Sequence, residues 1–152
     1  MEKIVKAEWQ SGEKLVVARL SGIVNLEDIQ NWKNSLYNVL NLLPDNSSFK
    51  MLVDLHGFEA ENMETHKEYR TIIPLLLADY NYRIGYLDMF PEASVELKQT
   101  RGINCIAMAN VHHNADKMLD YQTRFGNEHE HYFTESDAAL AWIKNMRQHT
   151  HD

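Results

Sequence analysis

The sequence has little cysteine, proline and glycine, with one, three and six of these residues among 152. A lone Cys105 excludes an internal disulfide, and its place in the apolar run from Ile103 to Val111 predicts a buried, unreactive thiol. Six glycines leave little scope for phosphate-cradling loops, and no dinucleotide fingerprint or nucleophile elbow is present. Neither His-Glu-x-x-His nor paired-cysteine spacing occurs. These absences remove the best-known signatures of catalysis and metal binding.

Positive charge and long apolar runs are also scarce. Fifteen lysines and arginines face 22 acids, so the formal charge of −7 offers no attraction to a nucleic-acid backbone or an anionic membrane surface. No segment approaches the roughly 20 apolar residues of a membrane span, and the N-terminal residues lack the apolar core of a signal peptide. We therefore expect a soluble cytoplasmic protein with no nucleic-acid partner and no transmembrane segment.

The composition itself is typical of one globular domain. With 44% hydrophobic and 24% charged residues, residues 1–152 are predicted to form a single domain around one core. Eight histidines are many for this length, and protonating all of them would move the formal charge from −7 to +1. We therefore predict that solubility falls as the pH drops through the range where histidine titrates.

Hydrophobic periodicity predicts alternating strands and helices, with an N-terminal hairpin across a Ser-Gly turn. The predicted strands cover residues 3–9, 14–21, 49–55, 83–89, 103–112 and 131–133. The predicted helices begin near Asn25, Thr65, Ala115 and Thr134. This order favours an α/β fold with a mixed, mainly parallel sheet and flanking helices.

Local signals refine two of these helices. Asn25 with Asp28 predicts an N-cap for the first helix, and Thr65 with Glu68 predicts a capping pattern for the second. Pro74 is expected to kink or restart the second helix, because proline removes a backbone donor. The apolar run 72–78 around this proline is more typical of core than of a ligand groove, although an outward-facing groove for an apolar ligand or a partner is the alternative.

Short motifs along the chain suggest a family. They are Leu20-Ser21-Gly22, the strand end from Leu52 to Phe58, Tyr132-Phe133-Thr134, and the closing segment from Ala138 to Ile143. Together with the order of elements, these motifs resemble the STAS-type domain of bacterial anti-anti-sigma factors, and more narrowly the SpoIIAA-like, STAS/Sec14-related small proteins. The resemblance implies a STAS/SpoIIAA-like α/β fold, and its Sec14-related branch implies a small apolar ligand by analogy of fold.

The chain departs from that family at its regulatory turn. Phosphoregulated members carry an Asp-Ser-(Ser)-Gly turn, which here corresponds to Asn62, Met63 and Glu64, and no serine is present. Thr65 is the nearest hydroxyl, and capping a helix is its simplest role. The resemblance therefore implies a module without the phosphorylatable serine switch.

Polar side chains follow two predicted strands where those strands end. Asp54 and His56 close the third predicted strand, and His112 and His113 close the fifth. Because ligands of open α/β sheets bind outside the carboxyl ends of parallel strands, we expect these four residues at one edge of the sheet.

The helix between those strands adds a cationic face. His66 and Arg70 are four residues apart and so lie on one face, and the helix N-terminus adds backbone donors that favour an anionic group. The predicted ligand-binding residues are therefore Asp54, His56, His66, Arg70, His112 and His113.

Several interpretations of these residues stay open. They are also typical of a solvated strand edge, and histidines with a carboxylate suit a borderline metal such as zinc. We predict a non-enzymatic module that binds a small apolar or anionic molecule or a protein partner, with no catalytic residue, metal or cofactor assigned. A homodimer is compatible with this prediction. The alternative is a small metal-dependent or His/Asp-using enzyme at the carboxyl edge of the sheet.

Overall fold

The computed structural model describes residues 2–90 and 94–146. Six strands and four α-helices alternate along this part of the chain. The strands are β1 (Ile4–Gln10), β2 (Leu15–Val24), β3 (Ser48–Asp54), β4 (Phe58–Ala60), β5 (Asn104–Val111) and β6 (Glu130–Phe133). The helices are α1 (Leu26–Leu40), α2 (Met63–Asp79), α3 (Ala115–Phe125) and α4 (Ser136–Asn145). Three short 3-10 helices cover Ser11–Glu13, Gly85–Met89 and Thr100–Gly102.

The strands form one mixed sheet in the order β1-β2-β3-β5-β6. The β1–β2 pair is antiparallel, whereas the β2–β3, β3–β5 and β5–β6 pairs are parallel. The short strand β4 pairs with the last residues of β2, from Gly22 to Val24. An α/β fold with an N-terminal hairpin and a mainly parallel sheet is thus confirmed.

The sheet buries both of its faces. Along β2, Val16 and Ala18 face a core shared with α1 and α2, and the alternate residues Leu15 and Val17 face a second core. In that second cluster the only helical residues, among those described, belong to α4. α3 lies beside β6 and contacts the 3-10 helix Gly85–Met89. α2, α3 and that 3-10 helix therefore surround the carboxyl ends of the central strands.

Asparagine side chains cap the first three helices, and the sequence predicted one of these caps. Asn25 forms the expected capping box with Asp28. The predicted start of α2 at Thr65 is wrong, because α2 begins at Met63 and the Asn62 side chain accepts the Thr65 N–H at 2.9 Å. Thr65 is fully buried and its hydroxyl has no partner among the described residues.

Pro74 does not restart the second helix. α2 runs from Met63 to Asp79 across it, and Pro74 is buried with Ile73 and Leu77. Packing of this apolar face against the sheet offsets the lost backbone hydrogen bond. The run 72–78 is accordingly core, apart from Leu75, which is 49% exposed.

The predicted strand at 83–89 is also wrong. Residues Gly85–Met89 form a 3-10 helix, and the buried residues Ile84 and Leu87 are three positions apart, as a 3-10 turn requires. The Gly85 N–H donates to the Glu130 carboxylate instead of to a neighbouring strand. α4 begins at Ser136, two residues after Thr134. Its N-cap is Glu135, which makes no side-chain capping bond.

None of the helices in the described ranges is both long and apolar enough to cross a lipid bilayer.

Candidate functional site

The carboxyl ends of β3 and β5 lie side by side. Asp54 pairs with Val111 in the sheet register, and the Leu55 N–H donates to the Val111 carbonyl at 2.9 Å. His112 follows β5 at this edge, and His66 and Arg70 reach it from α2. These three predicted residues line one cavity.

The other three predicted residues lie outside this cavity. Asp54 is buried, accepts the His56 N–H at 3.1 Å and lies 3.7 Å from the Arg19 guanidinium, so it holds the turn after β3. His56 and His113 are exposed, with their ring centroids 5.8 Å apart. The His113 ring accepts the Gly57 N–H at 3.0 Å. These histidines tie the two strand ends together on the solvent side.

The cavity, which we call the inner cavity, has a volume of about 130 Å³. It lies between α2, α3 and the 3-10 helix Gly85–Met89, above the ends of the strands. Its walls are mainly apolar and aromatic side chains, namely Leu55, Tyr69, Ile73, Tyr86, Phe90, Met118, Tyr121 and Tyr132. Because enclosed sites for drug-sized ligands measure roughly 300–1,000 Å³, only a small molecule fits here.

Four basic side chains form a rim around the mouth of the inner cavity: His66, Arg70, His112 and Lys117. An open outer cleft of about 350 Å³, also lined by Glu59 and Asn62, shares three of them, His66, His112 and Lys117. The Arg70 guanidinium lies 5.0 Å from the centroid of the Phe90 ring, and the Lys117 ammonium lies 5.5 Å from that of Tyr121. The rim therefore lies between an apolar interior and an open approach of mixed polarity.

The pKa values of three rim side chains, His66, His112 and Lys117, are lowered, with burial as the largest cause. Burial, with the charges of Lys117 and the neighbouring histidines, lowers the pKa of His112 to about 4. Burial, then Lys117 and Arg70, lowers the pKa of His66, and burial lowers that of Lys117. His112 is therefore neutral at pH 7, and its Nδ1 accepts the Asn114 N–H at 3.0 Å, which leaves the proton on Nε2.

Lys117 was not predicted from the sequence. It lies in the first turn of α3, whose N-cap is Asn114, and a cation there opposes the helix dipole. Throughout the described ranges, no carboxylate lies within ion-pair distance of its ammonium. A lysine three residues past an asparagine cap was the available signal, because that position ordinarily favours an acid.

Glu130 is a buried acid next to the inner cavity, being only 1% exposed. Its carboxylate accepts hydrogen bonds from the Tyr82 hydroxyl at 2.8 Å, the Gly85 N–H at 3.0 Å and the Tyr132 hydroxyl. Burial and the Glu130 charge raise the pKa of both phenols, which stay protonated donors. This network fastens the 3-10 helix that forms one wall of the cavity to β6.

The other candidates for reactive or metal-binding chemistry are the cysteine, clusters of metal-ligating side chains, and the Asp54 and His112 pair. Cys105 is buried as predicted, and burial raises the pKa of its thiol. Within residues 2–90 and 94–146, no three His, Cys, Asp or Glu side chains are placed to hold a metal ion. A His/Asp-using enzyme would pair Asp54 with His112. Each of them instead accepts a hydrogen bond from a different backbone N–H, that of His56 for Asp54 and that of Asn114 for His112.

Comparison with family models, with curated proteins and with solved structures finds no match to this chain.

Proposed function

We propose that this chain is a STAS-like, SpoIIAA-related module that binds a small molecule in the inner cavity and has no phosphoserine switch. The observation that carries the proposal is a single cavity with apolar walls and a basic rim, at the carboxyl edge of a mainly parallel sheet. Open α/β sheets bind their ligands at this edge. The order of strands and helices supports the STAS-like assignment.

The surroundings of Thr65 support the loss of the switch. Asn62 stands where the family turn begins, and its side chain is engaged in capping α2. Thr65 is fully buried, so a kinase has no access to its hydroxyl in the folded protein. A phosphorylation signal would have to use another residue.

The polarity of the cavity defines the ligand in general terms. Apolar walls favour transfer of an apolar group out of water, and the Lys117 and Arg70 charges at the mouth favour an anionic end. An amphipathic small anion satisfies both requirements, whereas a neutral polar molecule satisfies neither.

Native mass spectrometry followed by denaturing extraction tests this function. We expect the purified protein to carry, or to take up from a metabolite mixture, a small molecule in one-to-one ratio. The matched variant Met118→Trp fills the cavity from its buried α3 wall, and it should bind none while keeping its circular dichroism spectrum. Equal uptake by both proteins would place the ligand elsewhere and contradict the proposal.

Metal analysis of the same sample addresses the alternative enzyme. A stoichiometric metal that is lost on substitution of His112 or His56 would favour the metal-dependent reading over the binding module. Protein that retains its ligand with no metal present would support the module.

A further inference from the structure

Building on that binding function, we propose that the inner cavity takes a small aromatic carboxylate, with a single six-membered ring inside and its carboxylate held at the rim by Lys117 and Arg70.

The size of the cavity limits the apolar part to one ring. A dry cavity of about 150 Å³ holds a single benzene molecule, and the inner cavity measures about 130 Å³. A fused bicyclic ring system or the chain of a long fatty acid exceeds this space. The volume thus excludes a membrane lipid as the enclosed part of the ligand.

The cavity walls favour an aromatic ring over an alkyl chain of similar size. Tyr69, Tyr86, Tyr121 and Tyr132 all line the space, and the Tyr121 ring lies 6.0 Å from that of Tyr86 and 5.6 Å from that of Tyr132. Pairs of rings at such distances gain roughly 0.5–1.5 kcal/mol beyond their buried area. An inserted ring extends this cluster, and a flexible chain gains no such contact.

Lys117 selects for the carboxylate. Its ammonium is partly buried at the start of α3, where it opposes the helix dipole and has no acid partner within ion-pair distance among the described residues. A bound anion relieves both costs. Arg70, which lies over the Phe90 ring, adds a second positive charge to the lining of the cavity, and planar carboxylates suit a guanidinium.

The outer cleft is less favourable than the inner cavity for this anion, because it adds a negative charge. Glu59, an exposed acid, lines the cleft but not the inner cavity. Since Lys117 lines both spaces and Glu59 only the cleft, the carboxylate is favoured on the cavity side of Lys117, away from Glu59. The ligand enters with its ring first and stops when its anionic group meets Lys117.

Isothermal titration calorimetry with four probes at neutral pH tests the ligand class. Benzoate carries the ring and the charge, benzyl alcohol the ring alone, hexanoate the charge on a chain, and inorganic phosphate the charge alone. We expect benzoate to bind most tightly and phosphate to bind negligibly. Lys117→Gln should weaken benzoate binding by about tenfold or more and leave benzyl alcohol unchanged.

A matched control isolates the role of Lys117. Lys67→Gln removes one positive charge from an exposed position on α2 that lines neither cavity, and it should leave benzoate affinity unchanged. Equal losses in the Lys117 and Lys67 variants would reduce the effect to net charge and overturn the assignment of the rim. An unchanged benzoate affinity in Lys117→Gln would overturn it too.

Failure of the ligand class differs from failure of the binding function. If hexanoate binds as tightly as benzoate and Met118→Trp abolishes both, the cavity binds ligands but the aromatic class is wrong. If no probe binds at millimolar concentration and extraction yields no small molecule from the wild type, both proposals are wrong.

Discussion

The neutral imidazole of His112 links the cavity rim to the acid stability of the protein. Its pKa in the folded state is about 4, below the ordinary value of 6.5, so between these pH values the unfolded chain binds more protons. The stability contributed by the neutral ring is therefore present above about pH 6.5 and is lost as the pH falls towards about 4.

We predict that His112→Asn reduces this acid sensitivity. Asparagine keeps an acceptor for the Asn114 N–H but does not titrate. A dry ring with this shift would account for about 3 kcal/mol, and solvent screening of the half-buried ring reduces our expectation to about 1 kcal/mol. Urea unfolding at about pH 7 and about pH 4.5 measures the difference between the variant and the wild type. Identical losses in both proteins would contradict the lowered pKa.

Gly85 has no room for a side chain. A Cβ atom there would lie 2.7 Å from the Phe125 Cβ and 2.9 Å from a Glu130 carboxylate oxygen. We predict that Gly85→Ala lowers the free energy of unfolding by about 1–3 kcal/mol, because neighbouring groups must move. Gly12→Ala is the matched control, since no atom lies within 4 Å of its added Cβ. Comparable unfolding midpoints for the two variants would show that the wall of the cavity yields easily.

Site residues could be predicted from the sequence only where their position depends on a local pattern. His66, Arg70 and His112 could be placed from helix spacing and from the ends of strands. Lys117 offered only the weak local signal of a cation in the first turn of α3. Glu130 could not be placed, because its importance arises from contacts across the chain, such as that with Tyr82, 48 residues away. Likewise, nothing in the sequence distinguishes Gly85 from an ordinary turn glycine.

At the scale of elements, the start of α2 offers a direct test of which residue caps the helix. We predict that Asn62→Ala destabilises the protein by about 1 kcal/mol, because the Thr65 N–H loses its acceptor. Thr65→Val should cost little or should stabilise, since the buried Thr65 hydroxyl has no partner among the described residues. Thermal unfolding of both variants decides between these expectations. A larger loss in the Thr65 variant would restore the capping role inferred from sequence.

Two helices end on cations supplied from distant parts of the chain. The buried Lys50 ammonium donates to the Met146 carbonyl at 3.0 Å, just beyond α4. Arg101 donates to the carbonyl of Leu40, the last residue of α1, at 3.3 Å and to that of Leu43, three residues farther on. Positive charge at a helix C-terminus is favourable, but partners 58 to 96 residues apart leave no local trace in the sequence.

The elements that the sequence predicted are those whose pattern is local and strongly periodic. The hairpin, α1 and α3 have clear alternation or helical spacing together with a turn or cap signal. Residues 83–89 mimic a strand, but Ile84 and Leu87 are buried in a 3-10 turn whose partner, Glu130, comes much later. The three residues of β4 are too few for a periodic signal.

For the whole molecule, the lowered pKa of His112 sharpens the expected dependence of solubility on pH. Burial lowers the pKa of His66 as well as that of His112, so protons on the other six histidines would bring the formal charge of −7 to −1. We predict that precipitation by polyethylene glycol becomes easiest near that condition. Lys67→Glu, which adds two negative charges at an exposed position, should shift the minimum to lower pH. A flat solubility curve between about pH 7.5 and about pH 5.5 would contradict the prediction.

The packing of α4 has a consequence for synthesis of the chain. The sheet face that contains Leu15, Val17 and Leu52 is covered, within the described part of the chain, by α4, which follows all the described strands. On the ribosome, this apolar face remains uncovered after every strand has emerged, until Ser136–Asn145 leave the exit tunnel. Between the emergence of β6 and that of α4, the nascent chain therefore exposes this face to aggregation and to chaperones, while the opposite face already has its helices.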